Sequence, residues 1–258
     1  MRLLLVDREF PPNPHGGIGS YNLALATFLG QIGHFVVVLS CTTEGKPLVT
    51  EEPYGLLVRI PHRPPSSPLS SYLRWIDPVV LGLKLASQGI RLTERFGLSL
   101  VEIPSAGGYG YFLAQRIRER IPVVTRFHGT QGKLPIDKAA RAALRRELAE
   151  VGYGRTRRLV ASALNAPLWQ LERCQVIASQ HVTCPSQFAR AWLGRQLGPL
   201  ERRLSVIHNG LHLDGRRRDG RADIPPPARG KTLAFVGRCS VPKGVTVLAR
   251  ATPLILNA

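Results

Sequence analysis

The sequence predicts an α/β fold, a doubly wound parallel sheet, on three observations: apolar bursts that recur, polar alternation that is missing from them, and helical spacing between them. The bursts are RLLLV near residue 3, FVVVLS from Phe35, LLVRI from Leu56, LSLVEI from Leu98, PVVTRF from Pro122, HVTCP from His181 and LSVIHNG from Leu204. Strands that are apolar on both faces belong in a sheet covered by helices on both sides, which is how parallel strands pack. The stretches with helical spacing are Ile18 to Gln31, Leu73 to Arg95, Tyr109 to Arg120, Asp137 to Glu150, Leu159 to Ile177 and Gln187 to Leu197. Strand and helix therefore alternate from the first residue, and a doubly wound layer is the economical arrangement.

After Asp214 the text changes to GRRRDGRADIPPPARGK, rich in Arg, Gly and Pro and without periodicity, the composition of a linker. The expected organisation is a first domain over 1–214, a linker over 215–230 and the first βα unit of a second domain over 231–258. In that unit KTLAFVGR reads as a strand and VTVLARATPLIL as a helix. A single βα unit encloses no core.

Composition narrows the function. At 44% hydrophobic over 258 residues the chain has the apolar content to bury a core, which excludes wholesale disorder. The opening apolar run stops at Asp7, short of what a secretory signal or a spanning helix needs, so the expected location is cytoplasmic. Cys41, Cys174, Cys184 and Cys239 lack CxxC pairing and read as reduced, mostly packed thiols. The 35 Lys and Arg against 17 Asp and Glu leave +18, a field that attracts nucleic acid, anionic lipid or phosphorylated substrates alike. No nucleic-acid recognition motif accompanies the charge, so no specific nucleic-acid partner is expected.

Four features bear on chemistry. Gly16, Gly17 and Gly19 stand where the first strand turns into a helix, and a helix start without β-carbons admits a phosphate to its N–H groups. The pattern GxGxxG fails at Asn22 and the second strand ends without an acid, which disfavours NAD. His128, in RFHGT, lies just past a central strand, at the edge where ligands sit in open α/β sheets, and an imidazole there can bond a sugar hydroxyl or stabilise charge. His208 and His212 are four apart, but Asn209-Gly210 breaks a helix between them, so no metal site is expected. From Lys138 to Arg158 a basic, Ala- and Leu-rich stretch suits a solvated helix face, an anionic membrane surface at the inner face, or a grip on a phosphate-bearing acceptor.

Read together, FPPNPHGGIGSYNLALATFLGQIGHFVVVLS, VEIPSAGGYGYFLA, RFHGT, VTCPSQFARAWL, VIHNGLHLD and FVGRCSVPKGVTVLARA resemble, in order, the landmarks of the retaining glycosyltransferases of family 4, which have the GT-B fold. The resemblance spans essentially the whole chain. It implies a Rossmann-like acceptor-side domain followed by the truncated start of a second, donor-binding Rossmann-like domain. It further implies a nucleotide-sugar donor and an acceptor that is a carbohydrate, a lipid-linked sugar or a small molecule, with transfer to a hydroxyl and retention of configuration. By resemblance, Gly16 and Gly17 face the donor diphosphate, His128 contacts the transferred sugar, and Arg238 and Lys243 neutralise the departing pyrophosphate, with no metal and no cofactor. The family's two-glutamate motif lies deeper in the second domain than Ala258. A non-catalytic acceptor-binding module that has lost its donor half is the competing expectation.

Overall fold

The computed structural model describes residues 1–12, 16–64, 75–130, 155–198, 201–210, 233–237 and 243–256, with single positions between 142 and 152 and at 239. Eight strands form one sheet: β1 (Arg2–Val6), β2 (Phe35–Thr42), β3 (Leu48–Glu52), β4 (Gly55–Pro61), β5 (Leu100–Pro104), β6 (Val123–Arg126), β7 (His181–Cys184) and β8 (Leu204–Val206). Their spatial order is β3-β4-β2-β1-β5-β6-β7-β8. Every pairing is parallel except the β3–β4 hairpin. From β1 the chain builds outward through β2 and β4, then returns to the other side of β1 at β5. The strand order thus reverses between β1 and β5, and in open α/β sheets ligands bind at the carboxyl edge beside such a reversal.

The helices are α1 (Gly17–Gln31), α2 (Ile76–Phe96), α3 (Tyr111–Ile117), α4 (Arg155–Ala178), α5 (Gln187–Leu197) and α6 (Val245–Leu256). β1 shows why the strands lack alternation. Its Leu3 and Leu5 join Val36, Val38 and Ala26 of α1 in one buried cluster, while Leu4 and Val6 join Leu81 and Leu85 of α2 and Leu113 of α3 in another. Successive side chains of a strand point to opposite faces, so a strand buried on both must be apolar at every position. A third cluster forms under β7 and β8, where Phe127 and Val182 meet Trp192 and Leu193 of α5. There the rings of Phe127 and Trp192 stack at 6.0 Å.

The helix ends follow from sequence. α2 stops at Gly97, whose φ of 57° is left-handed, the conformation glycine adopts without penalty. α5 starts at Ser186, whose hydroxyl accepts from the Ala189 N–H, satisfying a donor the helix leaves unpaired. The hairpin strand β3 is an element that the sequence pattern does not predict. LVTEE is exposed or half-buried at every position, so it shows no apolar run, and it is held by backbone pairing to β4 alone.

The chain divides into two compact units, one of Met1–Pro135 with Val160–His212 and one of Ile136–Leu159 with Leu213–Ala258. The first carries the whole sheet. In the second, the expected helix is present as α6, and Leu233–Val236, read from sequence as a strand, pair with no strand among the described residues. The expected linker and most of the expected helix over Asp137–Glu150 and of the basic stretch from Lys138 lie outside the described residues, the positions described within that helix being helical. Among the described residues, no helix is long and apolar enough to cross a membrane.

Candidate functional site

The carboxyl edge of β1, β5 and β6 gathers the polar groups that the core does not explain. Gly16 caps α1 with extended backbone, φ −97° and ψ −164°, and no side chain caps the helix. Gly17 is the first helical residue, and both glycines are exposed. Neither is required by the protein's own packing. A β-carbon at Gly17 would meet nothing within 4 Å, one at Gly16 would sit 3.6 Å from a Glu9 carboxylate oxygen in ordinary contact, and neither φ is positive. Among the described residues no side chain caps the helix start, and the first N–H groups of a helix have no intrahelical partner.

His128 follows β6 by two residues and is half-buried. Its ring meets Tyr21 of α1 edge-on at 4.9 Å, and its Nε2 is buried with no hydrogen-bond partner among the described residues. Burial, reinforced by the Arg126 charge, lowers its pKa to about 4, so at neutral pH the imidazole is uncharged. Ser105, just past β5, donates its hydroxyl to the Gly129 carbonyl at 2.9 Å and so fastens the backbone next to His128.

Beneath the histidine lies a buried polar network that sequence reasoning missed. The Arg126 guanidinium, in a residue only 1% exposed, stacks 4.8 Å from the Tyr21 ring centre. Its Nη2 donates to the Ile207 carbonyl at 2.7 Å and to the Asn209 Oδ1 at 2.6 Å. Tyr21 donates its hydroxyl to Glu102 Oε1 at 3.1 Å. Burial raises the Glu102 carboxyl above its ordinary range although Tyr21 and Arg126 pull the other way, and burial likewise raises the Tyr21 phenol. The signal for this network was the lone arginine closing the apolar run PVVTRF, two residues before His128.

A second cluster sits at the carboxyl ends of β1 and β4. Asp77, at the start of α2, receives Arg8 Nη1 at 2.8 Å and meets His62 Nε2 at 2.7 Å. Burial alone would raise the Asp77 carboxyl, but His62 and Arg8 outweigh it and hold it below the usual carboxylate value. Arg59, 6% exposed, donates to the Pro11 carbonyl at 2.6 Å. Removing the carboxylate leaves Arg8 and His62 without their shared acceptor, and breaking a partly buried ion pair costs on the order of 2 kcal/mol. Asp77→Ala is accordingly expected to lower the urea midpoint with no change in slope, measured by tryptophan fluorescence; an unaltered midpoint would show the cluster to be energetically idle.

The remaining residues singled out from sequence scatter. His208 bonds the Pro185 carbonyl through Nδ1 at 3.0 Å, and His212 lies outside the described residues. Cys41 and Cys184 are buried as expected of packed thiols, whereas Cys174 and Cys239 are exposed. In the second unit, Lys243 is exposed two residues ahead of α6, next to Gly244 with φ +77°. Arg238 lies outside the described residues.

An open parallel sheet with helices on both faces and a glycine helix start beside its reversal point defines a Rossmann-like domain, and the solved structures it resembles are GT-B glycosyltransferases. Sucrose-phosphate synthase from Thermosynechococcus elongatus matches with a TM-score of 0.65 at 18% identity, covering 98% of this chain and 60% of its own. The catalytic domain of starch synthase IV from Arabidopsis thaliana, solved with ADP and acarbose, matches at TM-score 0.47 and 12% identity over 81% of this chain and 51% of its own. Trehalose-6-phosphate synthase OtsA matches at 0.49 and 12% over 82% and 50%. The chain thus spans about 60% of the length of the synthase it matches over nearly its whole extent. No curated protein matches it in sequence. The model of Glycosyltransferase Family 4 matches residues 15–214, and the chain belongs to that family.

Proposed function

We propose that this chain is the acceptor-side domain, with the start of the donor-binding domain, of a glycosyltransferase that moves a sugar from a nucleotide-sugar to an acceptor hydroxyl with retention of configuration. The observation that carries the reading is His128: a neutral imidazole at the carboxyl edge, its Nε2 without a partner, above a helix start whose glycines serve no packing need. In this reading His128 accepts a hydrogen bond from a hydroxyl of the transferred sugar, and the N–H groups at Gly16 and Gly17 face the donor diphosphate. Breaking the glycosidic phosphate bond builds negative charge on the leaving oxygen. Arg238 and Lys243 are the cations assigned to that charge, and fixed cations can stabilise it without a metal or cofactor. The leaving phosphate assists deprotonation of the acceptor on the same face, so no catalytic carboxylate pair is needed. The acceptor is a carbohydrate, a lipid-linked sugar or a small molecule, met in the cytoplasm or at the inner membrane face.

Calorimetric titration of the 258-residue chain with UDP, GDP and ADP at physiological salt tests this. Micromolar binding of one nucleotide, weakened about tenfold by Lys243→Ala as a lost charge-assisted contact should be, is the expected result. No binding to a folded chain would overturn the donor reading and favour a non-catalytic acceptor-binding module.

A further inference from the structure

Arg126 is the largest fully buried side chain among the described residues, and a buried cation needs a reason. It touches three segments that the proposed reaction uses separately. It stacks on Tyr21, one turn into the helix that Gly16 and Gly17 open. It ends β6, two residues before His128, whose titration its charge opposes. Its Nη2 grasps both the Ile207 carbonyl and the Asn209 side chain, in the segment that leaves β8. Its Nε and Nη1 are buried with no hydrogen-bond partner among the described residues. A guanidinium spent only on structure would be expected to satisfy all its donors.

We propose that Arg126 is a positioning residue: stacked under Tyr21 and clamped onto Ile207 and Asn209, it sets the ring of His128 and the segment after β8 in one fixed arrangement at the carboxyl edge. The inference rests on the glycosyltransferase reading for its purpose but not for its test. Among the described residues, the ionisable groups acting on His128 are Tyr21 from α1, in ring contact with it, and Arg126 from β6, while Glu102 from β5 bonds Tyr21. Tyr21 donates to Glu102, and Arg126 is the charge that opposes an imidazolium at His128. Burial is the larger cause of the depressed His128 value and Arg126 the second; removing the cation should therefore move the titration up in part.

The test titrates the His128 Hε1 resonance in the full chain, assigned by its loss in His128→Asn, with no donor present. In Arg126→Gln the midpoint should rise by about one unit, as expected for loss of a nearby like charge. Arg126→Lys keeps the charge but not the forked grip, so the midpoint should stay low. In that variant exchange of the Ile207 amide, which donates to the Cys184 carbonyl at 2.9 Å, should quicken about tenfold or more as the clamp opens. An unmoved His128 midpoint in a folded Arg126→Gln overturns the inference, as does unaltered Ile207 exchange in Arg126→Lys. Should Arg126→Gln fail to fold, Asn209→Ala removes one acceptor and leaves the cation in place; unaltered Ile207 exchange there overturns it equally. Failure of nucleotide titration would sink the donor reading while leaving these readouts standing.

Discussion

Gly108→Ala is expected to destabilise the first unit by about 4 kcal/mol, the sum of backbone strain and a clash with main chain. Gly108 has φ +66°, and a β-carbon built there would lie 2.6 Å from both the Glu172 nitrogen and the Leu171 carbonyl carbon. These are backbone atoms of α4, so no rotamer change relieves them. The loop is also tied to that helix by the interactions the clash would pull apart. The Gly107 N–H donates to Glu172 Oε1 at 2.8 Å, the Gly110 N–H donates to Gln175 Oε1 at 2.9 Å, and Gln175 Nε2 donates to the Pro104 carbonyl at 2.9 Å, all buried. Gly97→Ala is the control, since Gly97 has φ +57° and open space around it; it should cost only the strain, about 1 kcal/mol. In thermal melts followed by circular dichroism, the first substitution should lower Tm by about 10 °C and the second by about 3 °C. Equal losses would mean that the close approach of loop and helix does not exist in solution.

The comparison of Gly108 with Gly16 explains much of what was legible in the sequence. Glycine is visible in either place, but only the structure separates a glycine that must admit a helix backbone from one that leaves a helix start open. The strands were legible because Leu3 and Leu5 on one face and Leu4 and Val6 on the other are all buried, which writes burial into consecutive letters. β3 was not, because an exposed edge strand carries no such signature. α3 runs only Tyr111–Ile117, shorter at both ends than its spacing predicts. Gly108 and Gly110 fill the turn before it, and Arg120 already closes on Ile117 in a turn after it.

The site was half legible in the same way. His128 could be placed at the carboxyl edge because strand order alone puts it there. Its chemistry could not, since a neutral imidazole depends on burial and then on Arg126, and no local pattern tells how deeply a residue past a strand end is buried. Pairings such as Tyr21 to Glu102 join positions 81 apart in sequence, and no local pattern encodes them.

On the proposed glycosyltransferase reading, His128→Ala should abolish most sugar transfer while leaving the fold intact. A hydrogen bond to a transferring group that strengthens as charge develops contributes on the order of 3 to 4 kcal/mol, so kcat should fall by roughly 100- to 1000-fold. The nucleotide itself should bind within about threefold of the unsubstituted chain if His128 acts on the sugar rather than the diphosphate. His128 is half-buried and its Nε2 has no partner to lose among the described residues, so Tm should fall only slightly, which separates the chemical role from a structural one. The pH dependence follows from the sign of the shift. A histidine whose pKa is lowered to about 4 remains a neutral acceptor at every pH above that value, so kcat should be level through the usual histidine range near 6.5 and decline only as pH approaches about 4. Histidine with an ordinary pKa would instead give a falling limb between about pH 7 and 6. A limb there, present in the unsubstituted enzyme and absent in His128→Asn, would show that His128 titrates in the ordinary range and overturn its lowered pKa; unchanged kcat in His128→Ala would remove the residue from the chemistry altogether.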